Sequence, residues 1–541
     1  MATRNSDGNW SEPVALGLNG AFGDASGMEI NGGRTFVWLQ GNGTTNNIVM
    51  ADRNGDGTGG SAIDLGPGIN DHAGGMVFYD GEWHLFHQYN PSGNRWGHMS
   101  WGHAVSRDLV HWSHLPVALE EEGGVMIFSG SAVVDWKNTS GFGTGLQPPL
   151  VAIYTGQREG RQDQRIAYSN DHARTWTKVA SPVLDLGKAD FRDPKVFWYA
   201  PASHWVMTVA LPNEHRVAFY SSPNLREWTH TGDFGPAGAT GGQWECPDLF
   251  PLSVQGGGTQ WVLVVNINPG GVAGGSGTQY FTGSFDGHRF VADSTVATRW
   301  ADYGADSYAG VSWNDVPRSD GRRVWIGWMS NWLYAQDVPT SPWRSAMTVP
   351  RALSLRHTAA GLRLVQQPVA ELAKLRVSGA RRFRGGTFAA AVEWLKQQGD
   401  VGPLLDVEMQ FAGVGGKDPF AIAIETSPDE QTSMNVDPGN ATLTVDRSRS
   451  GLSAFNAAFA TRHPAPLRIV DGEVRLRFLL DASSLEVLAQ DGETSITDLI
   501  FPTGHSRLLR LVSAGAAPHV IGITIHRLRS AVDATVERAR K

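Results

Sequence analysis

Along most of the chain, apolar and polar positions alternate in short runs with a period near two, a pattern that predicts strands rather than helices. Ile166-Ala-Tyr168 and Val217-Ala-Phe-Tyr220 are two such runs, and each leads into a polar turn closed by an aromatic. The turn recurs as Ser106-Arg-Asp108-Leu-Val-His-Trp112, Ser169-Asn-Asp171-His-Ala-Arg-Thr-Trp176 and Ser222-Pro-Asn224-Leu-Arg-Glu-Trp228, with a looser copy at Ser284-Phe-Asp286-Gly-His-Arg-Phe290. The closing aromatics stand 64, 52 and 62 residues apart. Strand-turn-strand units at that interval predict propeller blades, with room for about five between residues 60 and 353. Unrelated hairpins that share common turn residues are the alternative, because Ser, Asn and Asp favour turns in any fold.

The texture changes after residue 353. Val369, Leu372 and Leu375 sit at helical spacing inside Gln366 to Arg376 and predict one short helical connector. Beyond it, Val474, Leu476, Phe478 and Leu480 alternate strictly, and Leu485, Val487 and Ala489 resume the alternation after the turn Asp481-Ala-Ser-Ser484. Several such strands predict a β-sandwich. The expected fold is therefore all-β: a five-bladed β-propeller over 61–355, a linker over 356–376, a C-terminal β-sandwich over 377–530 and a charged tail over 531–541. Residues 1–60 form an N-terminal segment with no clear pattern. Within it, Asp52-Arg-Asn54-Gly-Asp56-Gly57 copies the start of a calcium loop, but Ile63 occupies position twelve, where a bidentate Glu is required. A glycine-rich turn is the simpler reading.

Composition narrows the function. Sixty-five Gly with 20 Trp and 22 Phe fit a turn-rich β protein whose spare aromatics can line a sugar cleft. A formal charge of −8 on a chain only 18% charged, without a block of like charges, disfavours nucleic-acid and anionic-membrane partners. The single Cys246 excludes an intramolecular disulfide and a multi-cysteine metal site. Met1 to Asn9 lack the features of a signal peptide, so the chain as written is expected in the cytoplasm, or outside the cell if a leader has been removed.

Three acidic motifs sit where an apolar run meets a Gly- or Pro-rich break: Asn70-Asp71-His72-Ala73-Gly74, Phe191-Arg192-Asp193-Pro194 and Trp244-Glu245-Cys246-Pro247-Asp248. Separations of 122 and 52 residues, about two blades and one, allow them to meet only at one end of a closed ring. Arg192 is expected to hold Asp193 ionised, whereas Glu245, between Trp244 and Cys246, is expected in an apolar setting that raises its pKa. One ionised and one protonated carboxyl is the pairing that glycoside cleavage needs.

Rival chemistries find little support. His84 and His87 face opposite sides of a strand and lack neighbouring carboxylates at ligand spacing, so no metal or other cofactor is expected. There is no Gly-x-Ser-x-Gly, and Pro269 to Gly277 lacks the Lys-Ser/Thr ending of a phosphate loop. Cys246 reads as a small buried group. Of Trp325, Trp328, Trp332 and Trp343, Trp332 alone is expected to reach the cleft.

Taken together, the motifs resemble those of the family 32 glycoside hydrolases, the family of invertase, exo-inulinase and levanase, over about residues 69 to 515. The resemblance is carried by Leu85-Phe-His-Gln88-Tyr89-Asn90-Pro91, Trp96 to Ser106, Phe128-Ser129-Gly130-Ser131, Phe191 to Lys195, Glu245-Cys246-Pro247-Asp248-Leu-Phe250, Asp302-Tyr-Gly304, Gly327 to Trp332 with Pro339 to Arg344, Pro350-Arg351 and Asp481 to Val487, in order. It implies Asp71 as nucleophile, Glu245 as acid and base, and Asp193 as the carboxylate that steadies an oxocarbenium-like transition state. It also implies sugar contacts from Asn70, Gln88, Trp96, Phe128, Ser129, Arg192 and Trp332, retention of configuration, and no cofactor. The family's first motif is Trp-Met-Asn-Asp-Pro-Asn-Gly; here Gly68 and Ile69 precede Asn70-Asp71, and His72-Ala73 replace Pro-Asn.

Three functions follow in order of preference. The first is a retaining β-fructofuranosidase releasing fructose from levan, inulin-type fructan or sucrose. The second is a fructosyltransferase using the same covalent intermediate, which the altered first motif suggests. The third is a catalytically weak fructan-binding protein; the intact Arg192-Asp193-Pro194 and Glu245-Cys246 stand against it.

Overall fold

The computed structural model describes residues 36–41, 46–51 and 73–531 apart from 295, 296 and 342. The first two stretches, Phe36–Gly41 and Asn46–Ala51, pair as an antiparallel hairpin in a unit of its own. The Asp52–Gly57 turn and the Asn70-Asp71-His72 motif lie outside the described residues.

From Ala73 to Pro368 the alternating runs form consecutive four-stranded antiparallel sheets, five among the described residues, each built in chain order from inside to outside. The innermost strands are Ala73–Tyr79, Met126–Val134, Arg192–Tyr199, Gln243–Ser253 and Tyr308–Ser312. Each sheet packs face to face on the next through its own apolar layer, for example Val133, Ile153 and Ile166 against Val196, Met207 and Val209. The last sheet returns to the first, where Val311, Trp313 and Ile326 meet Met76, Trp83 and Leu85. Hydrogen bonds from Phe78 N to Asn314 O and from Asn314 N to Met76 O close the ring. This is a propeller.

The four turn motifs join the third strand to the fourth in four successive sheets. In each of the first three, a Ser hydroxyl and an Asp or Asn side chain tie the turn, as where Asp108 Oδ1 accepts from His111 N at 2.9 Å. Leu109, Ala173 and Leu225 hold the same left-handed φ of 61–65° within them. The sequence repeat is thus a structural repeat.

The expected linker over 356–376 is shorter than its pattern suggests. Arg351–Thr358 and Gly361–Pro368 are the outer hairpin of the fifth sheet, so only Val369 to Arg376 connect the domains. There Ala370–Leu375 form a 3-10 turn that buries Leu372 and Leu375. Beyond it, a six-stranded and a five-stranded antiparallel sheet stack as a β-sandwich around Val407, Phe411, Ile422, Val436, Phe478 and Val487. One helix, Phe388–Gln398, caps this core with Phe388, Ala391 and Leu395, and Thr387 caps its N-terminus by accepting from Ala390 N.

Candidate active site

Topology selects one end of the ring. Loops after the second strands and the starts of the innermost strands share that end, because adjacent strands run antiparallel. At that end all five innermost strands carry a register irregularity: Ala73/Gly75, Ile127/Gly130, Arg192/Lys195, Glu245/Asp248 and Tyr308/Val311. A bulge adds a residue to one strand and re-aims its side chains. Asp193 at φ 68°, Cys246 at 44° and Ala309 at 50° are held in the left-handed region there, a cost that functional sites tolerate. Pro194 and Pro247 follow two of these residues, and proline within a sheet belongs at such breaks. At Gly130 the bulge brings the chain so close that a Cβ would lie 2.1 Å from Ile153 O.

The bulges gather the two described acids. Arg192 Nε donates to Glu245 Oε1 at 2.9 Å, while its other nitrogens bind Asp190 Oδ1 at 2.8 Å and Gln243 Oε1 at 2.7 Å. Tyr308 donates its hydroxyl to Glu245 Oε2. Cys246 N donates to Asp193 Oδ2 at 2.9 Å, and Thr155 Oγ1 accepts from Asp193 N at 2.9 Å. Asp193 Oδ1 has no partner among the described residues. Further along the same strands Lys195 and Asp248 are buried, their charges 3.4 Å apart.

Two electrostatic expectations change. Asp193 is raised to about 6, first by burial and then by the Glu245 charge, with Arg192 only partly offsetting them. The guanidinium instead forms its direct ion pair with Glu245. Glu245 is not in an apolar setting, because strand alternation sends Trp244 to the other face, into the core between the third and fourth sheets. Cys246 is buried, and desolvation pushes its thiol up.

The expected contact residues fall on the same end. Gln88 Nε2 donates to Ser129 Oγ at 2.9 Å, and both are buried. Trp96, 44% exposed, stands edge-on to Phe128 with ring centroids 6.1 Å apart. Trp332 is half-buried against Trp328 at 5.2 Å, in the cluster that holds Cys246 and Tyr308. Trp325 and Trp328 are core. Asn70 and Asp71 lie outside the described residues, although in sequence they immediately precede the first innermost strand. His84 and His87 are buried and held neutral, lowered to about 4 and about 3 mainly by desolvation. Sequence reasoning missed Tyr308 and Gln243; the available signal was position, since Tyr308 opens its innermost strand as Arg192 opens another.

A propeller whose strand starts converge on two differently held carboxyls, backed by a sandwich, has the paired acids that a glycoside hydrolase needs. Models of the glycosyl hydrolases family 32 N-terminal domain and C-terminal region match residues 68–368 and 371–527. The chain belongs to this family. A levanase of Bacillus subtilis (strain 168) is 50% identical over 463 residues, covering 84% of this chain and 68% of that one. An extracellular exo-inulinase of Aspergillus awamori is 39% identical over 495 residues, covering 84% and 91%. Among solved structures, exo-inulinase from Aspergillus awamori has a TM-score of 0.80 at 36% identity, covering 86% of this chain and 97% of that one. The β-fructofuranosidase of Schwanniomyces occidentalis with fructosyl-erythritol has 0.78 at 31%, covering 86% and 96%.

Proposed function

We propose that the protein is a β-fructofuranosidase that releases fructose from fructan and sucrose with retention of configuration. The names of its relatives support hydrolysis over transfer or mere binding. In this reading Glu245 protonates the leaving oxygen and then takes a proton from water, with Arg192 and Tyr308 setting its orientation. Asp193 uses its open Oδ1 for the hydroxyls of the fructosyl ring and its charge for the oxocarbenium-like transition state. Asp71 is the nucleophile by motif and by its place just ahead of the first innermost strand. Gln88, Ser129, Arg192, Asn70, Trp96, Phe128 and Trp332 form the sugar pocket around them.

The observation that carries the reading is the convergence of Glu245, Arg192, Tyr308 and Asp193 at one mouth. Its test is reducing-sugar release from sucrose, inulin and levan by the wild type, Asp71→Asn and Glu245→Gln. Both variants are expected to lose turnover on all three substrates. Wild-type turnover in either removes that residue from the mechanism. Proton NMR of the first-released fructose, read before mutarotation, distinguishes retention from inversion.

A further inference from the structure

The opposite end of the ring carries a depression of about 710 Å³ that no step of the hydrolysis uses. It lies where the innermost strands end, after Val134 and Tyr199, and along the loop from Asn314 to Arg318. An eight-residue strand such as Arg192–Tyr199 rises ~3.3 Å per residue, which puts roughly 25 Å between the two ends. The buried Lys195–Asp248 pair lies between them.

The lining is built rather than incidental. Trp136 is 62% exposed, yet its Nε1 donates to Asp315 Oδ1 at 2.9 Å, and Asp315 Oδ2 accepts from Val134 N at 2.9 Å. The polar edge of this indole is therefore pinned to the wall while its apolar surface stays in water, an arrangement that folding alone does not favour. Trp198 and Tyr199 lie half-buried on another wall, and Lys137 Nζ sits 4.9 Å from the Trp198 ring centre. Arg318 is exposed at the rim with no ion partner among the described residues. Asp135 and Asp315 against Lys137, Arg318 and Arg323 leave the charge nearly balanced, which suits a neutral ligand rather than a polyanion or a cation. A fixed aromatic face for the C–H side of a sugar, with the Lys137 and Arg318 donors beside it for its hydroxyls, describes a carbohydrate surface.

From this we infer that the far end of the propeller is a second, non-catalytic binding site for a neutral polysaccharide, the fructan itself, with Trp136 as its platform. The choice of fructan rests on the function proposed above. Such a site holds the enzyme on its polymer between cleavages and raises the local concentration of chain ends at the catalytic mouth.

The test is native electrophoresis through gels containing levan, inulin or dextran. The probe protein is Glu245→Gln, with and without Trp136→Ala or Lys137→Ala, in saturating sucrose to occupy the catalytic mouth. Retardation by levan or inulin but not dextran, lost in Trp136→Ala and weakened in Lys137→Ala, is the expected result. In the active background, Trp136→Ala should leave sucrose turnover unchanged and raise KM for the retarding polymer about threefold to tenfold. Unchanged retardation in both variants, or none in Glu245→Gln itself, overturns the inference; retardation by dextran alike overturns the choice of fructan. A wild type that hydrolyses none of the three sugars defeats the proposed function instead, and the gels still report on the groove.

Discussion

Two buried clusters in this molecule use the same groups, a guanidinium between carboxylates, and they do opposite things. At the domain junction, Arg351 reaches Glu486 Oε2 at 2.5 Å, Asp302 Oδ2 at 3.3 Å, Thr497 Oγ1 at 2.7 Å and Ser495 Oγ at 2.8 Å. Asp302 also accepts from Gly304 N and Thr497 N at 2.8 Å, and Glu486 from Val349 N at 3.0 Å. Asp302 and Glu486 are 2% and 4% exposed, whereas Glu245 keeps 17%. At the mouth, Asp193 takes one backbone hydrogen bond and one thiol and leaves an oxygen open. The difference teaches that a buried charge by itself does not mark chemistry. A cluster whose acceptors are spent holds two domains together; a cluster with an unspent acceptor, partial access and a displaced pKa can act on a ligand.

Substitutions at the two clusters should therefore separate activity from stability. The largest effect is expected from Glu245→Gln, which keeps acceptor and shape but not the transferable proton. Turnover of sucrose should fall about 10²- to 10⁴-fold, with a melting temperature close to wild type; a loss of less than tenfold would break the comparison from the catalytic side. Next comes Arg351→Met, which strands Asp302 and Glu486. Urea denaturation should show a loss of about 3–5 kcal/mol, while the turnover of the protein that remains folded is unchanged. A loss under about 1 kcal/mol would mean the junction is no tighter than a surface pair.

The pH dependence sharpens the contrast further. Asp193 has a folded pKa raised above its unfolded value, so the native state holds its proton more tightly, and the stability it contributes is full below pH ~4 and lost as pH rises through about 6. Asp193→Asn should remove that fall, leaving the variant about 1–3 kcal/mol more stable relative to wild type at pH 8 than at pH 4, by denaturation at both values. Its activity should drop, because the open carboxylate is gone. The smallest effect is expected from Tyr308→Phe, which removes one hydrogen bond to Glu245 and keeps the ring: about a fivefold loss of kcat, on the scale of a single hydrogen bond, with stability within experimental error. Equal losses of kcat and stability there would place Tyr308 with the structural cluster.

Much of this could be read from the chain. The strand runs, the spacing of the turn motifs and the Pro-marked acids at strand starts are local signals, and each survives into the fold as a turn, a sheet or a bulge. The misreadings have a common cause. Glu245 was expected in an apolar setting because its sequence neighbours are Trp244 and Cys246, but in a strand successive side chains leave on opposite faces, so its surroundings come from Arg192 and Tyr308, 53 and 63 residues away. Residues 356–368 read as connector although they pair into the fifth sheet, since an edge hairpin with Arg356 and Arg363 lacks the apolar density of a central strand. The helix Phe388–Gln398 was not expected in a domain read as strands, although Thr387 and the helical spacing of Phe388, Ala391 and Leu395 carry its signal.

Period, turn chemistry and the position of each acid beside a strand break are properties of neighbours along the chain, and those the sequence determined without help. Which carboxylate an arginine pairs with, which oxygen stays open and which buried cluster is sealed depend on groups tens to hundreds of residues apart. Only the closing of the ring and the docking of the sandwich decided them, because desolvation and hydrogen-bond saturation act through space and not along the backbone.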